Sequence, residues 1–360
     1  MSINKKNILI VFGGVSTEHE ISCVSAIFAL SNINTEKYNI YKMGITKDGA
    51  WFLYSGNNDK IGTGEWLNDI QNLQPAVISP CTKQHGLFIF NKQQKSYQEL
   101  RIDVAFPVLH GKNGEDGTIQ GLLTLAGIPF VGCSTYSSAV CMDKVTTKLL
   151  CEEAGIHTSP FVYSKKNADG DYSDLVNKSE KSFGYPVFVK PSCSGSSVGI
   201  TKAKNRDELI NGILFAFKHD DKILIEKAIF GKEIEVAVFG NADTFVSACG
   251  EIEPCADFYD YETKYVSDAA KYYIPARIDP DLSDLVRKAA KNVFDILDCS
   301  GLARVDFFVD KNDIILNEIN TIPGFTAISM YPQLMAASQK DGKTLLDGLI
   351  DLAIEKWGNR

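Results

Sequence analysis

Between Gly301 and Asn320 the chain reads GLARVDFFVDKNDIILNEIN: two strand-like runs, Leu302–Val309 and Ile314–Ile319, around a polar Lys311-Asn312-Asp313 turn. With Asn312 as the centre, Asp306 lies opposite Glu318 and Arg304 opposite Asn320. Side chains alternate along a strand, so all four emerge on one face. Directly opposed residues have Cβ atoms roughly 5 Å apart. Two carboxylates, an amide oxygen and a guanidinium therefore meet on one small patch. Hard oxygen ligands suit Mg²⁺, which keeps positions for water and phosphate oxygens. The arginine is surplus to a metal but suits an anion. Taken alone, the pattern also describes a surface hairpin with an ordinary ion pair.

The first third alternates strand and helix. Asn7–Phe12 is an apolar strand running into Gly13-Gly14, with a helix starting near Ser16, where Thr17 and Glu20 have capping-box spacing. Val104–Leu109 is a second apolar strand, followed by the turn His110–Gly117 and a helix over Thr118–Ala126. This predicts a parallel sheet with helices on both faces and ligands at its carboxyl edge. Trp51–Tyr54 and Leu87–Phe90 suggest an antiparallel edge. Beyond Asp143 come a helix over Lys144–Ala154, strands at Pro186–Lys190 and Lys222–Ala228, and a strand pair Glu233–Phe239 and Thr244–Ile252 turning at Gly240-Asn241. The polar, Tyr-rich stretch from Pro254 to Pro275 is long enough for a lid. Helices over Asp281–Leu297 and Lys343–Trp357 complete the chain.

With 360 residues, two or three domains are expected. A net charge of −8 argues against nucleic acid as the main partner, so a polyanionic ligand must be held by a few local cations. No apolar run approaches the roughly 20 residues of a membrane helix, and the start lacks a secretory pattern, so a cytoplasmic protein is expected. The nine cysteines form no Cys-x-x-Cys pair and the five histidines no metal-ligand spacing, so reduced thiols are expected and zinc is not.

Several constellations carry chemistry. Lys190 stands at a strand end before PSCSGSSVG, whose glycines and serines can turn N–H and O–H donors toward an anion; a plain turn is the alternative. Lys144 opens a helix, where a surface lysine is the default reading and an anion contact the sharper one. Glu226 and Lys227 end an apolar strand, with Glu233 across a short loop; ribose hydroxyls or solvent are their partners. His110 follows a buried strand at the carboxyl edge and is either structural or titrating. Glu18, near the first helix's start, suits an ammonium group or simply that helix's dipole.

Together, Gly13-Gly14-x-Ser16-x-Glu18, His110-Gly-x-x-Gly-Glu-Asp-Gly117, Met142-Asp-Lys144, Lys190-Pro-Ser with Gly195-Ser-Ser-Val-Gly199, and Phe258-Tyr-Asp-Tyr-x-x-Lys264-Tyr265 resemble the D-alanine–D-alanine ligases. So do Arg304-x-Asp306 and Asn317-Glu-x-Asn320-Thr-x-Pro-Gly324-Phe-Thr, and the motifs occur in family order from residue 8 to about 355. The resemblance implies an α/β chain (α+β in its C-terminal part): a Rossmann-like domain over 1–134, a central ATP-grasp lobe over 135–228 and a C-terminal lobe over 229–360. It implies ATP held by Lys144, Lys190, Glu226, Lys227 and Glu233, with Lys264 reaching the γ-phosphate. Two magnesium ions would sit on Asp306, Glu318 and Asn320, and manganese could substitute. Glu18, networked with Ser196 and Tyr265, would take the first D-alanine's ammonium near His110. Arg304 and the Gly324 backbone would face the tetrahedral centre, and Ser329 and Met330 the second substrate. The resemblance further implies peptidoglycan precursor synthesis, a cytoplasmic homodimer and no nucleic-acid or membrane partner.

Two departures matter. Cys193-Ser194 replaces a charged or bulky pair found in many relatives. Met330 is apolar where ligases accepting D-serine tend to carry arginine, which favours D-alanine as acceptor over D-serine or D-lactate. A nicotinamide dehydrogenase is disfavoured because Gly13-Gly14 lacks the G-x-G-x-x-G spacing. A non-catalytic nucleotide- or amino-acid-binding module would have no need of the acid cluster.

Overall fold

The computed structural model describes residues 5–91, 93–254 and 270–358. Three sheets organise it. The first has seven strands: β1 (Lys6–Gly13), β2 (Tyr38–Ile45), β3 (Trp51–Tyr54), β4 (Leu73–Ile78), β5 (Gly86–Asn91), β6 (Ser96–Arg101) and β7 (Val104–Pro107), in the order β6-β5-β4-β3-β2-β1-β7. Parallel pairing is confined to β1 with its neighbours β2 and β7; the rest is antiparallel. The expected parallel pairing is thus confined to one end of the sheet, around β1, where Ile8, Leu9, Ile10 and Val11 are wholly buried.

Helix α1 (His19–Asn32) begins one residue later than the Thr17–Glu20 spacing suggests, with Glu18 rather than Thr17 at its N-cap. The Ser16 hydroxyl instead accepts the Glu18 N–H at 3.1 Å, so the turn after β1 is spent on presenting Glu18. Helix α2 (Thr118–Ala126) lies where expected.

Helices α3 (Thr135–Met142) and α4 (Lys144–Glu153) lead to a four-stranded antiparallel sheet, order β10-β9-β11-β8, from β8 (Phe161–Lys165), β9 (Val187–Pro191), β10 (Thr201–Ala203) and β11 (Lys222–Lys227). Helices α5 (Ser173–Phe183) and α6 (Arg206–Ala216) complete this lobe, whose buried cluster draws only on residues 162–225.

The third sheet, order β14-β13-β12-β15-β16, holds β12 (Lys232–Gly240), β13 (Thr244–Pro254), β14 (Ala270–Tyr273), β15 (Gly301–Asp310) and β16 (Asp313–Asn320). Helix α7 (Pro280–Ile296) has proline in its first turn and buries Leu282, Val286, Ala290 and Val293, a period-3.6 stripe, against this sheet. The stretch expected as a lid is partly β14, which pairs Ala270 with Pro254; residues 255–269, including Tyr261, Lys264 and Tyr265, lie outside the described residues. Helices α8 (Met330–Ala337) and α9 (Gly342–Gly358) end the chain. Leu345, Leu346, Leu349 and Ile350 of α9 share one buried cluster with Ile8, Ile10 and Phe12 of β1.

The decisive hairpin differs in one detail. Its loop has two residues, Lys311 and Asn312, between the paired Asp310 and Asp313, not three centred on Asn312. A bulge after Asp306 leaves Asn317 as an extra residue and shifts the pairing by one. Arg304 therefore does face Asn320, and Asp306 does face Glu318.

Candidate active site

Where the three sheets meet lies a cavity of about 710 Å³. Turns of the first sheet contribute Glu18 and His110, the loop after β9 contributes Ser196, and α4 contributes Lys144. Glu233, Arg304, Asp306, Glu318 and Asn320 come from β12, β15 and β16, and Gly324, Ser329 and Met330 from the segment leading into α8. Residues far apart in sequence thus line one space.

On the hairpin floor, Arg304 donates to both oxygens of Asp306, Nε to Oδ1 at 2.8 Å and Nη2 to Oδ2 at 2.7 Å. Its Nε also lies 2.9 Å from Glu235 Oε2 on the neighbouring strand. Burial works against the guanidinium's charge, but the Asp306 and Glu235 carboxylates outweigh it and raise its pKa further. Asn320 donates through Nδ2 to Asp306 Oδ2 at 2.9 Å. Across the cavity, Lys144 donates to the Ser194 carbonyl at 2.7 Å and lies 3.7 Å from Glu318 Oε2. Among the described residues no three His, Cys, Asp or Glu side chains converge as a ready metal cage. Two carboxylates and one amide on a shared face are nevertheless a hard donor set that fits Mg²⁺, provided Asp306 gives up part of its pairing with Arg304.

On the opposite wall the Ser196 hydroxyl donates to Glu18 Oε1, tying the Gly/Ser loop to the first sheet. Gly111, at φ +70°, backs the same carboxylate so closely that a Cβ there would sit 2.7 Å from Glu18 Oε2. His110 is buried, with Nε2 2.8 Å from Ser25 Oγ and Nδ1 3.2 Å from the Ile322 carbonyl. Burial would lower its pKa, but Glu115, 3.7 Å away, and Glu18 reverse that and raise it. Ser329 caps α8, and its Oγ accepts the Thr326 N–H at 3.1 Å. Met330 is a buried apolar part of the wall.

Three expected nucleotide contacts are not on the cavity lining. Glu226 is buried between two lysines: Lys190 Nζ at 2.7 Å from Oε2 and Lys148 Nζ at 3.0 Å from Oε1. Burial alone would raise the Glu226 pKa, but the two ammonium groups hold it down at about 2. Lys227 follows on the other face of β11, exposed.

Sequence reasoning missed Lys148, Glu115 and Glu235. Glu235 had a readable signal, since it lies two residues beyond Glu233 in an apolar strand and so shares its face. Lys148 had a weaker one, four residues after Lys144 on one helix. The eight described cysteines are free, with Cys141 and Cys299 Sγ atoms 3.8 Å apart.

The chain matches the family described as "D-ala D-ala ligase N-terminus" over residues 7–133 and "D-ala D-ala ligase C-terminus" over 150–351. It belongs to the D-alanine–D-alanine ligase family. It is 47% identical to the D-alanine–D-alanine ligase of Acetivibrio thermocellus over 99% of this chain and 98% of that protein. The Clostridium acetobutylicum enzyme is 48% identical over 98% of this chain and 99% of its own length. Among solved structures, the VanG D-Ala:D-Ser ligase of Enterococcus faecalis is similar with TM-score 0.89 and 42% identity, over 97% of this chain and all of that one. The Bacillus anthracis D-alanine–D-alanine ligase complexed with ATP is similar with TM-score 0.72 and 28% identity, over 98% and 99%. The fold of this ligase-family chain is accordingly an ATP-grasp module behind an α/β N-terminal part, and the family's chemistry is ATP-dependent ligation. No helix among the described residues is long and apolar enough to cross a membrane.

Proposed function

We propose that this protein joins two D-alanine molecules into D-alanyl-D-alanine at the expense of ATP, supplying a peptidoglycan precursor. The observation that carries the proposal is the convergence in one cavity of an ammonium-binding carboxylate, Glu18, with the Arg304–Asp306–Glu318–Asn320 patch.

The steps follow from charge. A carboxylate is a poor electrophile, so the first D-alanine is converted by ATP to an acyl phosphate. Glu18, held by Ser196, takes that substrate's ammonium group beside His110. Lys144 and Glu233 hold the nucleotide from the cavity lining, Lys190 joins them by turning from its buried partner Glu226, and Lys264 is assigned by resemblance; the lysines neutralise phosphate oxygens, while Glu226 and Lys227 lie off the lining and support the site from behind. Asp306, Glu318 and Asn320 are the residues that would hold magnesium, which supplies charge neutralisation on the phosphates. The second D-alanine, seated by Ser329 and Met330, attacks as a free amine. The resulting oxyanion is met by Arg304 and the Gly324 N–H, and its collapse breaks the acyl–oxygen bond, expelling inorganic phosphate while the nitrogen loses its extra proton to leave the peptide bond. Gly324 is closely backed, since a Cβ there would stand 3.0 Å from Ser329 Oγ. By the family resemblance Tyr265, outside the described residues, would join the Glu18–Ser196 network, and excluding water would protect the acyl phosphate.

The likeness to VanG supports D-serine as a second acceptor reading. The apolar Met330 supports D-alanine, because a buried methionine offers a serine hydroxyl no partner. Phosphate release with ATP, magnesium and D-alanine tests the proposal, and product analysis with D-serine and D-lactate as competing acceptors separates the readings. D-alanyl-D-alanine as the main product is expected; no D-alanine-dependent phosphate release would refute the proposal. We further place the enzyme in the cytoplasm as a homodimer of three-part chains divided near residues 134 and 228, which light scattering and limited proteolysis check.

A further inference from the structure

We propose that Lys148 is a positioning residue: it keeps the Glu226 carboxylate compensated when Lys190 turns from Glu226 to a nucleotide phosphate. The inference rests on the reading that Lys190 holds phosphate.

One buried carboxylate here has two ammonium partners, and they are not equivalent. Lys148 donates to Ser159 Oγ at 2.9 Å as well as meeting Glu226, and its side chain is 2% exposed. Its ammonium is closed off from solvent and engaged by these two partners. Lys190 is 14% exposed and stands next to last in β9, the strand that leads into the Gly/Ser loop carrying Ser196. The fixed cation is therefore Lys148, and the one able to leave is Lys190. A buried carboxylate stripped of its last partner is strongly destabilised. With Lys148 in place Glu226 retains one counter-charge throughout, so Lys190 is released at little cost. Burial pushes the Lys148 pKa down, against which Glu226 holds the ammonium form.

The experiment compares the affinities of Mg-ADP and adenosine in the full-length protein by calorimetry. Adenosine has no phosphate and makes no demand on Lys190. Lys148→Met should weaken ADP binding by roughly tenfold to a hundredfold while leaving adenosine within about twofold. Adding Lys148→Met to Glu226→Gln should change the ADP-to-adenosine ratio little, because a neutral glutamine needs no counter-ion. Equal weakening of both ligands would show a merely structural role and overturn the proposal, as would unchanged ADP binding. If Lys148→Met alone does not fold, the comparison of Glu226→Gln with the double variant decides, and a further selective loss of ADP affinity there would overturn it. Lys190→Met is the control: if it leaves ADP affinity intact, the phosphate role of Lys190 has failed and not the pairing of Lys148.

Discussion

Arg304 and Asp306, two residues apart on one strand, lock together through two parallel hydrogen bonds of 2.8 and 2.7 Å. The bidentate pair fixes the guanidinium plane at the cavity floor, pre-oriented for charge that develops only during reaction. Arg304→Ala is expected to lower turnover by about a thousandfold or more while ATP still binds. Phosphate release and nucleotide calorimetry measured together check this, and near-normal turnover would remove the arginine from the chemistry.

Glu18 is held from two sides, by the Ser196 hydroxyl and by the cramped backbone at Gly111. Glu18→Gln should raise the KM for D-alanine about tenfold or more, since an ammonium loses its charged partner, with little change in ATP affinity. Gly111→Ala should push in the same direction without touching any charge, and its strained φ should also lower Tm by a few degrees. Equal loss of ATP affinity in either variant would mean that Glu18 serves the nucleotide instead.

Acid stability should carry the signature of Glu226. Its pKa is depressed in the folded chain, from 4.5 to about 2, so its contribution is fully present above pH 4.5 and disappears as pH falls toward 2. The linked free energy is about 3 kcal/mol. Urea unfolding at stepped pH should show a shallower decline in that window for Glu226→Gln than for the unaltered protein. Matching slopes would exclude Glu226 from the acid response.

Magnesium dependence follows from the way Asp306 is shared. Chelation should abolish D-alanine-dependent phosphate release. Asp306→Asn should shift half-saturation to higher magnesium by about tenfold, because one anionic ligand is lost. A magnesium titration of phosphate release reads both, and an unshifted midpoint would place the ion elsewhere.

Strong periodic segments were readable from sequence: β1, α2 and α7 lie within a residue or two of expectation because apolar spacing alone specifies them. The hairpin was readable for a subtler reason. A three-residue turn without a bulge and a two-residue turn with one extra residue at Asn317 produce the same facing of Asp306 and Glu318. Two single-residue differences cancel, so the patch was right although the turn was not. Lys148 was opaque because a lysine on a helix reads as a solvated face, and only tertiary packing reveals that Glu226 and Ser159 receive it. The start of α1 was legible to within one residue, with Glu18 rather than Thr17 standing at the cap.

The joint core of β1 and α9 has a consequence for how the chain is made. Strand β1 cannot complete its packing until Leu345, Leu349 and Ile350, which follow it far along the sequence, arrive to cover it. The small middle sheet has no such wait, because every member of its cluster lies within residues 162–225. During biosynthesis the middle sheet can therefore mature before β1 and α9 have come together.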